Sequence, residues 1–183
     1  NGPNDGYTLV VGGIAPIVLV PAVKKLRYDV DKDLVPLGLI WRSPQVFAVR
    51  ASLDVKTVAD FVAYAKANTG KVTIGSAGIG TVPHLACEYL NKVAGTSILH
   101  VPYRDVNSGT MATVGNITQM FFGVSTSAKS QIDSGALRGL AVSTAQRSVL
   151  LPNLPTMMES GYPTFNMPGW GGLFATAGTP KDV

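Results

Sequence analysis

Val72-Thr73-Ile74-Gly75-Ser76-Ala77-Gly78-Ile79-Gly80-Thr81-Val82-Pro83-His84-Leu85 reads as a buried strand, a glycine-rich turn and a helix start in immediate succession. Backbone N–H groups at a helix start lack an intrahelical partner, and the aligned peptide dipoles place partial positive charge there. A carboxylate or a phosphate can therefore settle without a side-chain cation. The glycines let the backbone approach such a guest closely. Gly78 and Gly80 do not complete a dinucleotide fingerprint, since the residue three after Gly80 is Pro83, and no phosphate-loop pattern ending in Gly-Lys-Ser or Gly-Lys-Thr is present. Thr81 fits an N-cap, Pro83 fits the first turn, and the pattern predicts a helix from Thr81 to Ala94 ended by Gly95. A plain strand-to-helix connection, with glycine serving only the turn, stays open beside the anion-site reading.

Composition narrows the setting of that turn. The chain has 183 residues, 46% of them hydrophobic, which is ample for a folded core. The net charge of +4 comes from only 14% charged residues, and the lysines and arginines are scattered, which argues against a nucleic-acid partner. Cys87 is the lone cysteine and falls inside the predicted helix, so neither a disulfide framework nor a cysteine metal cluster forms within one chain, and a buried, inert thiol is expected. The most apolar stretch, Ile14 to Val23, is short for a bilayer span and is interrupted by Pro16 and Pro21. The opening Asn1-Gly2-Pro3-Asn4-Asp5-Gly6 leads straight into a strand at Tyr7 to Val11 and reads like the middle of a domain.

Outward from the glycine turn, strands and helices alternate. Towards the N-terminus the pattern predicts a short helix over 16–26, a charged loop over 28–33, extended runs at 34–41 and 46–50, and a helix opened by the capping-box-like Thr57-Val58-Ala59-Asp60. Towards the C-terminus it predicts strands at 97–101, 117–122 and 137–142. Between them lie a helix from about Ser108 and a helix capped by Ser125 and ending at Gly135. Thr156 and Glu159 form another capping box for a very short helix, and Trp170 to Ala175 is extended. Repeated units of this kind predict an α/β fold with a mostly parallel sheet flanked by helices, with ligands beyond the carboxyl ends of the strands, where the 75–81 turn falls.

Asp5-Gly6-Tyr7-Thr8-Leu9, Leu26-Arg27-Tyr28-Asp29, Gly75 to Leu85, His100-Val101-Pro102-Tyr103, Leu137-Arg138-Gly139-Leu140-Ala141-Val142 and Leu154-Pro155-Thr156 follow in the order seen in one family. From Asp5 to Pro180 the sequence resembles the Bug receptors, the extracytoplasmic (periplasmic) solute-binding proteins of tripartite tricarboxylate transporters. The resemblance implies a two-lobed, type II periplasmic-binding-protein-like clamshell that captures a small di- or tricarboxylic or aromatic acid and passes it to the membrane components of the transporter, without catalysis or cofactor. It implies that residues 1–45 are part of the first lobe, 46–171 the second lobe with a hinge strand near 46–51, and 172–183 the return hinge. Carried over residue by residue, Ser76, Ala77, Gly78, Gly80 and Thr81 resemble the carboxylate cradle of the second lobe. His84 matches the family histidine, with a turn-fixing role as an alternative to ligand contact. Gly12, Gly13, Ile14 and Ala15 occupy the corresponding turn of the first lobe, while Tyr103 and Arg104 stand at the mouth.

Gly123 stands where the family often has an aspartate able to read an ammonium group, which points away from an amino-acid ligand. Members also carry an additional N-terminal strand with a glycine-rich loop and additional C-terminal helices, so the sequence resembles a fragment with an incomplete first lobe. Such a lobe exposes sheet edges, and 7–12 or 46–50 are expected to offer a homodimer contact. His84 and His100 have no carboxylate or cysteine at metal-ligand spacing and read as structural, and Ser76 is not in a nucleophile elbow. Trp170, Phe165 and Phe174 read as core packing, with hinge or stacking roles as alternatives. An α/β enzyme holding a phosphorylated substrate at 75–81 is the alternative from another functional class.

Overall fold

The computed structural model describes residues 2–23 and 25–182, so Asn1 of the opening turn and Lys24 of the predicted helix 16–26 lie outside the described residues. The chain divides into two units, one of residues 1–43 with 169–183 and one of residues 44–168.

The larger unit is built on β3 (Gln45–Arg50), β4 (Thr73–Ser76), β5 (Leu99–Pro102), β6 (Met120–Val124) and β7 (Leu137–Val142), in the sheet order β5-β4-β6-β3-β7. β4 runs parallel to β5 and β6, whereas β3 is antiparallel to both of its neighbours, β6 and β7. Val46 to Val49 are fully buried, as the near-continuous apolar run of an interior strand requires. Successive side chains of a strand point to opposite faces. Phe47 and Val49 accordingly join one core with the helix residues Phe61, Ala86 and Leu90, while Val46 and Ala48 join another with Ala128 and Leu151. This interior position corrects the expectation of an edge at 46–50. Both sides of β3 are paired, so that segment offers no strand to a second chain, and the passage between units falls at Ser43–Pro44, ahead of it.

Helices cover both faces. α3 (Val58–Ala67) starts on a complete capping box: Thr57 Oγ1 accepts from Asp60 N–H at 3.1 Å and Asp60 Oδ2 accepts from Thr57 N–H at 3.0 Å. Its buried positions, 58, 61, 62 and 65, are those of one helical face. Thr57→Ala is expected to cost about 1 kcal/mol, read as a shift in the urea midpoint at unchanged slope. α4 (Val82–Ala94) ends on Gly95 at φ 64°, a left-handed stop that suits glycine. α5 (Val106–Val114) is capped by Asp105, which accepts from Ser108 N–H at 2.7 Å, and α6 (Ser125–Asp133) follows β6 directly. β6 begins later than the apolar run suggests. Ile117 is 69% exposed and its N–H closes the end of α5 on Ala112 O, so the strand starts only at Met120. Thr156 and Glu159 do bond reciprocally, but they close a single turn and not a helix.

In the smaller unit β1 (Leu9–Gly13) and β2 (Leu34–Ser43) both pair antiparallel with β8 (Gly169–Thr176), in the order β1-β8-β2. Here the mostly parallel expectation does not hold, because β8 is the return segment laid between β1 and β2 and runs opposite to both. β1 is an edge strand, as expected for 7–12. A π-helical turn (Ala15–Leu19) and α1 (Val20–Val23) replace a regular helix to residue 26. The expected charged loop contains α2 (Val30–Asp33), because Asp29 accepts from Asp31 N–H while Asp33 accepts from Asp29 N–H, an acidic box closing one turn.

Candidate functional site

The glycine turn hangs from the carboxyl end of β4 and leads into α4. Gly78 and Gly80 have φ of 116° and 81°, values that side chains resist. Ser76 is buried at the strand end. Its Oγ accepts from Gly78 N–H at 3.0 Å and lies 3.2 Å from Gly78 O, which folds the chain back on itself. Thr81 occupies the N-cap of α4, but its hydroxyl donates to Gly78 O at 2.7 Å instead of accepting from the helix amides. The first helical amides are thus not consumed by the cap. Among the described residues, the backbone N–H groups of Ala77, Ile79 and Val82 have no protein acceptor. Three free donors on a half-exposed turn at a helix start form an anion-accepting surface without a cation.

His84 fixes this turn. Its Nδ1 accepts from Gly80 N–H at 3.2 Å, which places the proton of the neutral ring on Nε2, 4.0 Å from Glu88 Oε1. The turn-fixing alternative for His84 is therefore the contact the structure contains. Behind it, on β5, His100 turns Nε2 onto Ser76 Oγ, and the two imidazoles lie 4.2 Å apart, tilted by 42°. Burial and the neighbouring His84 push the His100 pKa below its ordinary 6.5, with Glu88 opposing. The folded protein thus binds fewer protons at His100 than the unfolded chain as pH falls through about 6.5, and stability declines with acidification in that window. Urea unfolding across it should show a shallower decline in His100→Gln than in the parent.

Tyr103 holds the neighbouring strand end. Its N–H donates to Ser76 O at 2.8 Å, and its ring flanks Gly75, where a Cβ would stand 3.2 Å from Cε2. Arg104 is exposed in the β5–α5 loop. Gly123 is buried in β6 with the Phe121 ring lying over it, in the space a side chain would need, so packing accounts for glycine there. In the other unit, Gly12 is buried against Ile17 and Phe174, Gly13 would set a Cβ 3.1 Å from Trp170 O, and Ile14 and Ala15 open the π-helical turn. Phe165 is a core residue in ring contact with Tyr89 and Phe122, as the packing reading has it.

Among the described residues no cluster of three or more histidine, cysteine or acidic side chains could hold a metal. Cys87 is buried, with its thiol pushed up to about 12 by desolvation, and is unreactive as a nucleophile. No helix among the described residues is long and apolar enough to cross a membrane. Sequence reasoning missed His100. It sits in an apolar strand, and only the parallel pairing of β4 with β5 brings it to Ser76; the His-Val-Pro-Tyr motif was the available signal.

At the carboxyl end of the parallel strand β4, the α/β scaffold presents a turn of backbone donors without a cation, a surface chemically able to accept a small anion. The chain belongs to the TctC family, the tripartite tricarboxylate transporter family receptors, whose profile matches residues 1–183. It is 33% identical over 182 residues to a UPF0065 protein from the tcbD–tcbE intergenic region of a Pseudomonas species, covering 99% of this chain and 54% of that protein. A Rhodopseudomonas palustris protein solved with adipate superposes with a TM-score of 0.85 at 29% identity, and MatC of that organism with bound malate with 0.85 at 27%. Each alignment covers 99% of this chain and, respectively, 61% and 62% of the solved chains. The chain spans about half the length of the curated relatives it matches.

Proposed function

We propose that the 75–81 turn grips one carboxylate of a small di- or tricarboxylic or aromatic acid, and that the chain is part of a periplasmic receptor delivering that acid to the membrane components of a tripartite tricarboxylate transporter. The observation that carries this reading is the set of free amides at Ala77, Ile79 and Val82 on a turn with no cationic side chain. Neutral donors suit a ligand that must be released again. Family membership and the adipate and malate in neighbouring structures support a carboxylic acid. In this reading residues 44–168 make up most of the second lobe and the smaller unit belongs to the first. Tyr103 and Arg104 add ligand contacts beside the turn, Gly12, Gly13, Ile14 and Ala15 are the first lobe's own candidate contacts, and Gly123 leaves out the family's ammonium-reading carboxylate. A homodimer through the β1 edge accompanies it as a separate proposal, checked by light scattering at high concentration; a strictly monomeric species would refute it.

A thermal-shift panel tests the function. Malate, adipate and citrate should stabilise the chain, while nucleotides and sugar phosphates should not; stabilisation by nucleotides alone, or turnover of a phosphate ester, would contradict the reading. Affinity for this chain by itself is expected to be weaker than micromolar, and a sub-micromolar value would show that the further contacts of a whole receptor are dispensable. Ile79, 81% exposed at the tip of the turn, offers a clean variant. Ile79→Glu should leave the melting temperature unchanged and weaken carboxylate binding by roughly fivefold or more, since a like charge about 4 Å away costs on the order of 1 kcal/mol even in water.

A further inference from the structure

We infer that His100 is a positioning residue that couples carboxylate capture at the glycine turn to uptake of one proton, acting through the Ser76 hydroxyl. The inference rests on the carboxylate reading of the turn. Ser76 has one hydroxyl proton and two acceptors in reach, Gly78 O and His100 Nε2, while Gly78 N–H occupies one of its lone pairs. A neutral His100 with a bare Nε2 takes that proton, and Ser76 then offers an incoming carboxylate only lone pairs. A His100 protonated on both nitrogens instead donates Nε2–H to Ser76 Oγ. The serine proton is then free for Gly78 O or for the ligand, and the ring adds a positive charge beneath the turn.

The proton taken up comes from solvent, resides on His100 and returns to solvent when the ligand leaves. His84 cannot play this part, because its Nδ1 is committed to Gly80 N–H and it makes no contact with the Ser76 hydroxyl. The groups that act on His100 are few. α4 presents His84 and Glu88, β4 presents Ser76, and neither β6 (Met120–Val124) nor α5 (Val106–Val114) contains a titratable side chain. Burial and His84 keep His100 neutral in the free protein near neutral pH. A bound anion shifts that balance towards the charged ring, and by reciprocity protonation tightens anion binding.

Calorimetric titration with malate and with adipate, from about pH 8 to about pH 6 in two buffers of different ionisation heat, tests the coupling, after subtraction of the proton linkage from each acid's own second carboxyl, which begins to protonate at the acid end. Net proton uptake on binding and an affinity rising by about tenfold towards the acid end are expected. In His100→Gln, whose carboxamide N–H still donates to Ser76, the pH dependence should vanish; a merely structural role would weaken binding at every pH and leave the slope intact. Should that variant fail to fold, the imidazole resonances of His100 in the parent, followed by NMR with and without malate, give the same answer: its titration should move to higher pH on binding. Binding without proton uptake, an unchanged slope in His100→Gln, or an unmoved His100 titration would overturn the coupling while leaving the carboxylate function standing. Absence of binding to either acid at any pH would overturn both.

Discussion

Phe47→Ala is expected to lower the stability of the 44–168 unit by about 3–5 kcal/mol, the range for truncating a buried aromatic in a core that relaxes only partly. Phe47 is 0% exposed, at the middle of the strand that β6 and β7 flank on either side. Its ring meets Phe61 of α3 edge-on, with centroids 4.9 Å apart and planes at 85°, so truncation removes an aromatic pair as well as apolar area. Little of the space can be refilled, because the surrounding cluster consists of residues already fully buried, such as Val49, Ile74 and Phe122. Urea unfolding checks this, and Phe47→Leu should cost distinctly less because it keeps most of the volume. An alanine variant less than about 1 kcal/mol below the parent would mean that β3 is not the centre of this core.

Gly75→Val is expected to destabilise the same unit by about 1–3 kcal/mol, at the severe end of that range for overpacking, and to abolish carboxylate binding. A Cβ at Gly75 would stand 2.9 Å from Gly109 O and 3.1 Å from Gly109 Cα. Both obstacles are backbone of α5, which cannot swing aside as a flexible side chain can. The reciprocal contact, a Cβ at Gly109 placed 3.2 Å from the Gly75 carbonyl carbon, shows that the two glycines set the β4–α5 separation together. Forcing them apart tilts the strand end that carries Ser76 and Tyr103, and with it the turn. Urea unfolding and malate titration of the variant check both effects; parent-like values would show that α5 yields easily.

The elements read best from sequence were those with local chemistry at their ends. The Thr57–Asp60 box, the Gly95 stop and the apolar run of β7 each announce themselves within a few residues. Strand direction does not. The antiparallel insertion of β3 between β6 and β7, and the antiparallel sheet around β8, depend on which strands meet after a long return, and an apolar pattern is the same in either direction. Ile117 misled because an exposed apolar residue at a helix exit looks like a strand start. α2 was missed because its box uses Asp29 and Asp33 on a stretch too polar to show a helical face. Within the site, the turn from Ser76 to Thr81 was legible because glycine and an N-cap residue are local signals. The redirection of the Thr81 hydroxyl onto Gly78 and the arrival of His100 behind Ser76 were not, since each needs the folded backbone.

Backbone amide NMR of the chain titrated with malate tests the carboxylate cradle most directly. The resonances of Ala77, Ile79 and Val82 should shift most, moving downfield as their N–H groups acquire a charged acceptor, while amides in the body of the sheet stay in place. Saturable shifts centred elsewhere in the chain, with these three amides unmoved, would contradict the assignment of the glycine turn as the carboxylate site.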